Sequence, residues 1–526
     1  AGVENESAFV PRLLCLAAPG RTFDALVQCG ADHSTWLGTT AMTRVLSPAH
    51  LHLAAAAGLS VLLSSCASFS PDGGVTVAAQ AARHEFGMDV VALRSDEDFD
   101  WAKSRMAQLL RRPLMIDSAV EIALLNNRGL QSTFNRLGVA EAIMAREKLP
   151  PNPTFSFSRL AGPLGSEVEG AIVANILALA TWPARAEIAE DRFRAAQFEA
   201  AAETLRLGYE ARRAYFRAVG AREIANSIGE VNQSTQAVAA LARRLGETGA
   251  ASRLDQAKDQ LSSAETATRL ASARLQASNE RERLIRVLGL WGMEVNFVLP
   301  NALSPPPSRP RSLPYLEQDA IDRRIELRTA HAELSALAKT LGLIEATRFI
   351  NLFELSGGHK VKTESLPNPE SGLTETTRFR FSGGAAAIQI PIFDFGETKV
   401  REAEQSWLEA VNRLTKKAVD VRSQARQTYR NYRYAHEIAQ FRKREILALQ
   451  AIVSEEMLRR YNGMLVDAFP LLENARKRVL LQAAAIEAKR DYWLAETDLR
   501  AAISGPAEAI VGVVGDGPAE LGVERP

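Results

Sequence analysis

Apolar residues recur at helical spacing over two unusually long runs without internal proline, 183 to 245 and 394 to 461. At about 1.5 Å per residue, each run would extend about 95 to 100 Å as one helix. A shorter, single helical stretch precedes each run, at 115 to 147 and at 316 to 347. No compact globular core needs helices of that length, so the pattern predicts extended helical hairpins.

Heptad spacing predicts that the first long helix packs along a returning helix as a coiled coil. Its seam residues are Ile224, Ile228, Val231, Thr235, Val238, Ala242 and Leu245. Those of the returning helix are Leu254, Ala257, Leu261, Ala264, Thr268, Ala271, Leu275 and Ser278. Glycines permit a tip turn at about 246 to 252, and Asn462, Gly463 and Pro470 permit another at about 462 to 470. A solvated coiled coil in any location would show the same heptads.

Short segments of period two lie before each long helix. Phenylalanine alternates with serine in TFSFS (154 to 158) and with arginine in TRFRFS (377 to 382), which is typical of strands. Residues 170 to 182, 348 to 358 and 383 to 391 are also strand-like, although the first could form a helix. Each half therefore offers one hairpin, at about 154 to 182 and 348 to 391, with polar loops near 159 to 169 and 359 to 376.

Four strands cannot close a barrel alone, so other chains would have to complete the sheet. If Phe155, Phe157, Phe379 and Phe381 face lipid while the alternating serines and arginines face a wet lumen, the hairpins belong to a shared transmembrane barrel. A small soluble sheet that caps the helices is the alternative.

The two halves repeat one another. Residues 123 to 137 align with 320 to 334 without a gap, and RVLGL near 288 corresponds to AAISG near 503. This defines a first repeat over 115–298, a proline-rich linker over 299–315 and a second repeat over 316–505. Strand-to-helix corners are predicted at Pro183 in the first repeat and at Pro391 and Gly396 in the second.

The beginning of the chain has the order of a bacterial lipoprotein leader. Residues 42–65 contain a short basic start and an apolar stretch too short to span a bilayer, and they end in LSSC, which resembles a lipobox. We expect Cys66 to carry covalent lipid and to begin the mature segment 66–114. The alternative is a buried helix over 51 to 66. Segment 1–41 has no assigned role, and 506–526 forms a tail.

Composition narrows the function. The 526-residue chain is 46% apolar with a net charge of +1, which gives no electrostatic basis for binding nucleic acid. No phosphate-binding, GxSxG or HExxH motif occurs, so we expect no enzyme and no catalytic residue. After the leader, the histidines are scattered rather than spaced as ligands, which predicts no bound metal and no cofactor besides the lipid: His84, His331, His359 and His436.

The duplicated plan, the IPIFDFGETKVREAE segment after the last strand and the glycine-containing turns before LDQA and LLENA resemble the TolC family of bacterial outer-membrane efflux proteins. The resemblance covers about 115 to 505. It implies a mainly α fold with a small β part, in which long helical hairpins form a trimeric periplasmic α-barrel and each protomer adds four strands to a shared transmembrane barrel. The first repeat departs from the family at LATWPARAEIAE.

The resemblance also implies partners: a homotrimer, the outer-membrane lipid, a periplasmic adaptor protein and an inner-membrane pump. Residues at the tips would contact the adaptor or line a constriction: Arg243, Arg244, Leu245, Gly246, Gly249, Asp255, Arg460, Tyr461, Gly463 and Asp467. Three acids near the tips, Glu247, Asp255 and Asp467, would bias a trimeric ring toward cations. These charges could instead be solvated helix ends.

The leading interpretation is a passive exit duct for drugs, metal ions or other small solutes. ALLNNRGLQ faintly resembles members linked to heavy-metal export, and the substrate stays open. A lipid-anchored periplasmic adaptor or scaffold without a pore is the rival.

Overall fold

The computed structural model describes residues 68–247, 252–367, 374–466 and 468–506. Some predictions concern residues outside the described ones, namely segment 1–41, the leader 42–65, Cys66, Gly249, Asp467 and the tail from 507. The described chain is mainly helical with one small sheet, which confirms the predicted fold class.

Apart from α1 and α2, which have no counterpart in the second half, the elements follow the same order in both halves. The first half comprises α1 (Thr76–Phe86), α2 (Asp96–Leu110), α3 (Ile116–Asn126), α4 (Arg128–Glu147), β1 (Thr154–Gly162), β2 (Gly165–Asn175), α5 (Ile176–Glu247) and α6 (Arg253–Leu288). The second comprises α7 (Leu316–Arg323), α8 (Ile325–Thr347), β3 (Leu352–Pro367), β4 (Thr374–Gln389), α9 (Glu397–Phe441), a π-helical turn (Arg442–Ile446), α10 (Leu447–Asn462) and α11 (Ala468–Ser504).

The prediction of single helical stretches before the strands is wrong, because each stretch is two helices. The breaks fall at Asn127 and Arg324, which are equivalent in the internal repeat and both have extended backbones. The Asn127 side chain accepts hydrogen bonds from the amides of Gly129 and Leu130, so it caps α4 instead of continuing α3.

Both break residues also make the same long-range contact. Asn127 Nδ2 donates to the carbonyl of Val287, at the end of α6, over 3.0 Å. Arg324 Nη1 donates to the carbonyl of Ala502, at the end of α11, also over 3.0 Å. Val287 and Ala502 are themselves equivalent in the aligned RVLGL and AAISG segments. The repeat is therefore preserved as an interaction that ties the start of each half to its last helix.

The long helices are as long as the sequence indicates. Helix α5 has 72 residues, which corresponds to about 108 Å. In the second half, α9, the π-helical turn and α10 form one continuous helical path from Glu397 to Asn462. The pairing α5 with α6 and α9–α10 with α11 gives two antiparallel hairpins.

The predicted seam on α6 is wrong. All eight of its residues, from Leu254 to Ser278, are exposed in the protomer. Between Leu254 and Ser278, the buried residues of α6 are instead Thr266, Leu270 and Ala273. Helix α6 thus carries two apolar stripes, and the heptads identified the one that no described residue of this chain covers.

Two apolar clusters, one dominated by each half, meet along α11. Phe216 of α5 stacks on Trp493 with ring centroids 5.4 Å apart, and Trp493 meets Tyr492 edge-on at 5.1 Å. Tyr492 in turn lies 5.6 Å from Tyr432 of α9. These aromatic contacts join the two hairpins away from their tips.

The proline-rich linker lies along the same helices. The indole nitrogen of Trp493 donates to the carbonyl of Ser304 over 2.8 Å. His436 Nε2 lies 2.8 Å from the carbonyl of Pro307, and the Arg311 amide donates to the Tyr432 hydroxyl over 3.0 Å. The linker therefore contributes to the junction of the halves.

The four strands form one antiparallel sheet in the order β1-β2-β3-β4. They are longer than the period-two pattern indicates, so the predicted polar loops shrink. The predicted strand over 170 to 182 is wrong beyond Asn175, because α5 begins at Ile176. Asn175 Oδ1 accepts a hydrogen bond from the Ala178 amide over 2.7 Å and so starts the helix before Pro183.

Candidate functional site: the sheet, the helical stripes and the tips

The sheet ends in two unpaired edges. Strand β1 pairs only with β2, and β4 pairs only with β3, among the strands that the structure describes. The β3–β4 ladder is 16 residue pairs long, which leaves a long row of unpaired backbone donors and acceptors along β4. Such an edge requires a further strand or a cover.

The register divides the sheet into an apolar face and a polar face. Residues directly opposite each other in antiparallel pairs share a face. Phe155 is opposite Ile172, and Phe157 lies in the row next to it on the same face. That face also carries Phe353, Leu355, Val361 and Ile388. Phe157 is 76% exposed, so nothing described in the protomer covers this apolar face.

The polar face carries the strand glutamates and lysines. Lys360 forms an ion pair with Glu167 of the neighbouring strand, and Lys362 Nζ lies 2.5 Å from Glu364 Oε1. Ser156 and Ser158 lie on the same face in the rows of β1. The glutamates and lysines of β2 and β3 therefore all lie on the polar face, opposite Ile172 and Val361.

Strand β4 departs from the predicted orientation. Phe379 is opposite Lys362 and Phe381 is opposite Lys360, so both phenylalanines lie on the polar face. Arg378 and Arg380 lie on the apolar face with Phe157. The expectation that all four phenylalanines share one face is therefore wrong, because alternation within a strand does not fix how two strands align.

The corner between β4 and α9 is built from the IPIFDFG segment. The Phe395 amide donates to the Pro391 carbonyl over 2.7 Å, and Asp394 Oδ1 accepts from the Gly396 amide over 3.0 Å. Gly396 has φ +74°, and a Cβ there would lie 2.2 Å from the Arg348 carbonyl oxygen. These two hydrogen bonds turn the chain, and only glycine fits at its last residue.

Pro183, in contrast, is not a corner, because it is the eighth residue of α5 and lies inside that helix. Beyond the first turn, its ring removes the amide that would otherwise donate to the carbonyl four residues earlier. This is where the first repeat departs from the family pattern.

Exposed apolar side chains surround the corner between β4 and α9. Phe393 is fully exposed, and Ile390, Ile392, Phe395 and Phe349 are largely exposed. They lie at the helical end of the sheet and so continue its apolar face toward the helices. Aromatic and aliphatic side chains in such a position are typical of the border between a bilayer and water.

Each hairpin also presents an uncovered apolar stripe. On α6 it contains Leu254, Leu261 and Leu275, and Leu261 is 60% exposed. On the second hairpin the exposed residues are Tyr434, Ile438, Phe441, Leu449 and Ile452. Apolar stripes that no described residue covers are typical of surfaces that contact another molecule.

The predicted tip residues that the structure describes lie at the ends of the hairpins, and their roles stay predictions. Arg243 and Arg244 are exposed in the last turn of α5, whereas Leu245 and Gly246 are placed in that helix and Asp255 in α6 only by their backbones. At the other tip, Arg460 Nε lies 3.2 Å from Glu456 Oε1. The Gly463 amide donates to the Arg459 carbonyl, and Tyr461 is exposed beside it.

Sequence reasoning missed Met464 and Leu465 at this tip. Met464 takes the left-handed conformation (φ +56°) expected of its neighbour Gly463, and its side chain is 94% exposed. Leu465 is largely exposed as well. A positive φ at a residue other than glycine is uncommon and costs of order 1 to 3 kcal/mol. The apolar pair directly after the turn glycine is the signal that could have identified these residues.

An ion pair connects the two hairpins near their tips. Arg476 Nη2 of α11 lies 2.5 Å from Glu265 Oε2 of α6. Farther from the tips, Arg213 Nε of α5 lies 2.6 Å from Asp498 Oδ1 of α11. Burial raises the pKa of Asp498, and Arg213 offsets only part of this effect. The hairpins are therefore linked by charges along their length.

Among the residues that the structure describes, no group of three or more histidine, cysteine, aspartate or glutamate side chains is placed to hold a metal ion. None of the described helices combines the length and apolarity needed to cross a bilayer.

The sequence matches no family model and no curated protein sequence. The structure resembles that of CusC, solved in a study of folding and transmembrane channel formation, with a TM-score of 0.62 and 17% identity over 74% of this chain and 92% of that one. It resembles the outer-membrane channel OprN with a TM-score of 0.59 and 17% identity over 78% and 92% of the two chains. It resembles the outer membrane channel CmeC of Campylobacter jejuni with a TM-score of 0.58 and 17% identity over 74% of this chain and 85% of that one.

These similarities cover nearly the whole length of each channel at low identity, so they establish architecture. The chain has the fold of bacterial outer-membrane channels, which confirms the fold that the resemblance to the TolC family implied.

Proposed function

We propose that this chain is one protomer of a trimeric outer-membrane channel of the TolC type, which acts as the passive exit duct of a tripartite efflux system. The observation that carries the proposal is the sheet: both edges are unpaired, and one face carries most of the apolar side chains while the other carries the glutamates and lysines. Sister copies that pair β4 of one with β1 of the next would remove every edge. The charged face would then line the lumen.

The uncovered helical stripes support the same assembly. Helix α6 and the α9–α10 path lie on different hairpins, and each exposes an apolar stripe that a neighbouring copy would cover. Contacts between different surfaces generate a ring when the rotation closes. Three copies would supply twelve strands and a helical cylinder about 100 Å long.

Anchoring and partners complete the proposal. Lipid on Cys66 would hold each protomer at the membrane, and the tip residues would meet a periplasmic adaptor that connects the duct to an inner-membrane pump. No residue of the chain is assigned a catalytic role. A lipid-anchored adaptor without a pore is not favoured, because it would not need a sheet with an uncovered apolar face.

Planar-bilayer recording tests the proposal. Protein purified in detergent should have the mass of three chains and insert as long-lived channels of uniform conductance. A monomer in detergent, or a protein that adds no conductance, would reject it. Palmitate labelling of the wild type and of Cys66→Ala tests the anchor, since label should be lost in the variant.

The exported solute is best identified by loss of resistance. A deletion strain exposed to antibiotics, solvents and metal salts should become sensitive to the class that the partner pump selects. Restoring the gene should restore resistance to that class and to no other.

A further inference from the structure

The apolar face of the sheet carries positive charge and no acid. Its ionisable residues are Arg159, Arg378, Arg380 and His359. Every glutamate in the described strands lies on the opposite face: Glu167, Glu169, Glu354, Glu364 and Glu375. Acidic side chains of the described strands are therefore confined to the polar face, whereas basic side chains lie on both faces.

The three arginines lie near the hairpin end of the sheet and at its two edges. One row of the register runs Arg159, Val168, Val361, Arg380, so an arginine stands at each end of the row. Arg378 lies in the next row toward the loops. When β4 of one copy adjoins β1 of the next, Arg378 and Arg380 come to the same border as Arg159 of the neighbour. Each junction of the ring then has one basic patch.

These arginines differ from the lysines of the polar face. Lys360 and Lys362 each have a glutamate partner. Arg159, Arg378 and Arg380 form no ion pair with any residue that the structure describes, and all three are exposed. Three guanidinium groups on an apolar surface therefore keep their donors available for an external anion.

Their height on the sheet matches the border of an apolar band. Ten residues separate Arg380 from Ile390, at the aromatic and aliphatic corner. That length of strand is about 33 Å and, at a tilt of about 40°, rises about 25 Å, the height of the lipid-facing band of membrane barrels. The corner and the arginines thus delimit the two borders. Arginine is costly at the middle of a bilayer and tolerated at its border, where headgroup phosphates lie.

We propose that Arg159, Arg378 and Arg380 form a binding site for the phosphate groups of an anionic lipid in the outer leaflet, repeated at each subunit junction. The inference rests on the proposed membrane location. Guanidinium groups pair with phosphate oxygens through two parallel hydrogen bonds. The acyl chains would lie on the rows below, which contain Phe155, Phe157, Ile172 and Leu355. A free anion would have no use for that apolar surface.

Native mass spectrometry of the purified trimer tests the site. The protein is incubated with vesicles of phosphatidylcholine alone or mixed with lipid A, a diphosphorylated glycolipid, and retained lipids are counted. The test variant is Arg378→Gln/Arg380→Gln. The matched control is Lys360→Gln/Lys362→Gln, which removes the same charge from the adjacent strand but from the opposite face.

We expect the wild type and the lysine variant to retain lipid A in preference to phosphatidylcholine. Since each arginine near the surface contributes about five-fold in affinity, the arginine variant should bind lipid A about 30-fold more weakly. Equal retention by both variants would overturn the proposal. Inorganic phosphate that displaces lipid A completely would also overturn it, because the site would then be a simple anion site.

Conductance separates this inference from the proposed function. Arg378→Gln/Arg380→Gln should still form channels of wild-type conductance, because the arginines face away from the lumen. Normal channels with unaltered lipid binding would refute the lipid site alone. Failure of the wild type to insert into any bilayer would refute the proposed function.

Discussion

Replacing Arg324 by methionine should destabilise the second half of the protein by about 3 kcal/mol. Arg324 is fully buried at the break between α7 and α8. It donates to the Ala502 carbonyl over 3.0 Å and to Gln424 Oε1 over 2.8 Å, and its Nε lies 3.3 Å from Glu326 Oε2. Burial lowers the pKa of Arg324, and Glu326 opposes that shift.

The magnitude follows from the contacts that the variant loses. Each hydrogen bond from a charged donor is worth about 1.5 to 3 kcal/mol, so two of them amount to about 3 to 6 kcal/mol. Removing the guanidinium also removes its desolvation penalty, which returns part of this sum. Methionine fills a similar volume, so little of the effect comes from a cavity. A net loss of about 3 kcal/mol remains.

Guanidinium chloride unfolding of the detergent-solubilised protein, followed by far-UV circular dichroism, measures the loss. Arg328→Met is the matched control, since Arg328 is exposed in the first turn of α8, directly after the break. It should change stability by less than about 0.5 kcal/mol. An Arg324→Met protein as stable as the control would show that desolvation cancels the contacts, and the reasoning would fail.

Three further predictions concern the helices. Asp191 is buried. Burial alone would raise the pKa of Asp191, but hydrogen bonds from Lys339 and Ser335 hold that pKa below 3.8. Asp191→Asn should therefore lower the free energy of unfolding by about 1 to 2 kcal/mol at neutral pH and by less as the pH falls below 3.8, which unfolding measured at several pH values tests. Leu261→Glu, in the uncovered stripe, should yield monomers in light scattering. Arg476→Glu should open the tips by repulsion from Glu265 and raise single-channel conductance.

Each of these predictions has a control or an outcome that contradicts it. The Asp191→Asn prediction fails if the loss of stability is the same at every pH, because a carboxyl whose pKa is lowered by folding stabilises the folded protein only above that pKa. Gln260→Glu, one residue from Leu261, should leave the trimer intact, and two monomeric variants would indicate a general effect of charge. Adding Glu265→Arg to Arg476→Glu should restore the original conductance.

The sequence was sufficient for the four strands and for the long helices that follow each pair of strands. Phenylalanine alternation identified strands at 154 to 158 and 377 to 382, and the absence of proline identified the long helices. The sequence was not sufficient to predict which face of β4 matches which face of β3. Alternation shows which residues of one strand share a face, but the face that matches the next strand depends on the register, which only pairing fixes.

The same limit applies to the heptads and to the helix breaks. Spacing found an apolar stripe on α6 at Leu254, Leu261 and Leu275, yet spacing does not say which neighbour covers a stripe. The breaks at Asn127 and Arg324 depend on tertiary hydrogen bonds to the ends of α6 and α11. Local propensity contains no information about those distant carbonyls.

The facing of the strands in an open channel tests the central claim most directly. Because the native cysteines lie at or before position 66, single cysteines can be placed in the sheet. During planar-bilayer recording, a bulky charged thiol reagent should reduce the current through Lys362→Cys and leave Phe157→Cys and the unmodified protein unaffected. A block at Phe157→Cys with none at Lys362→Cys, or no current from any of these proteins, would contradict the account.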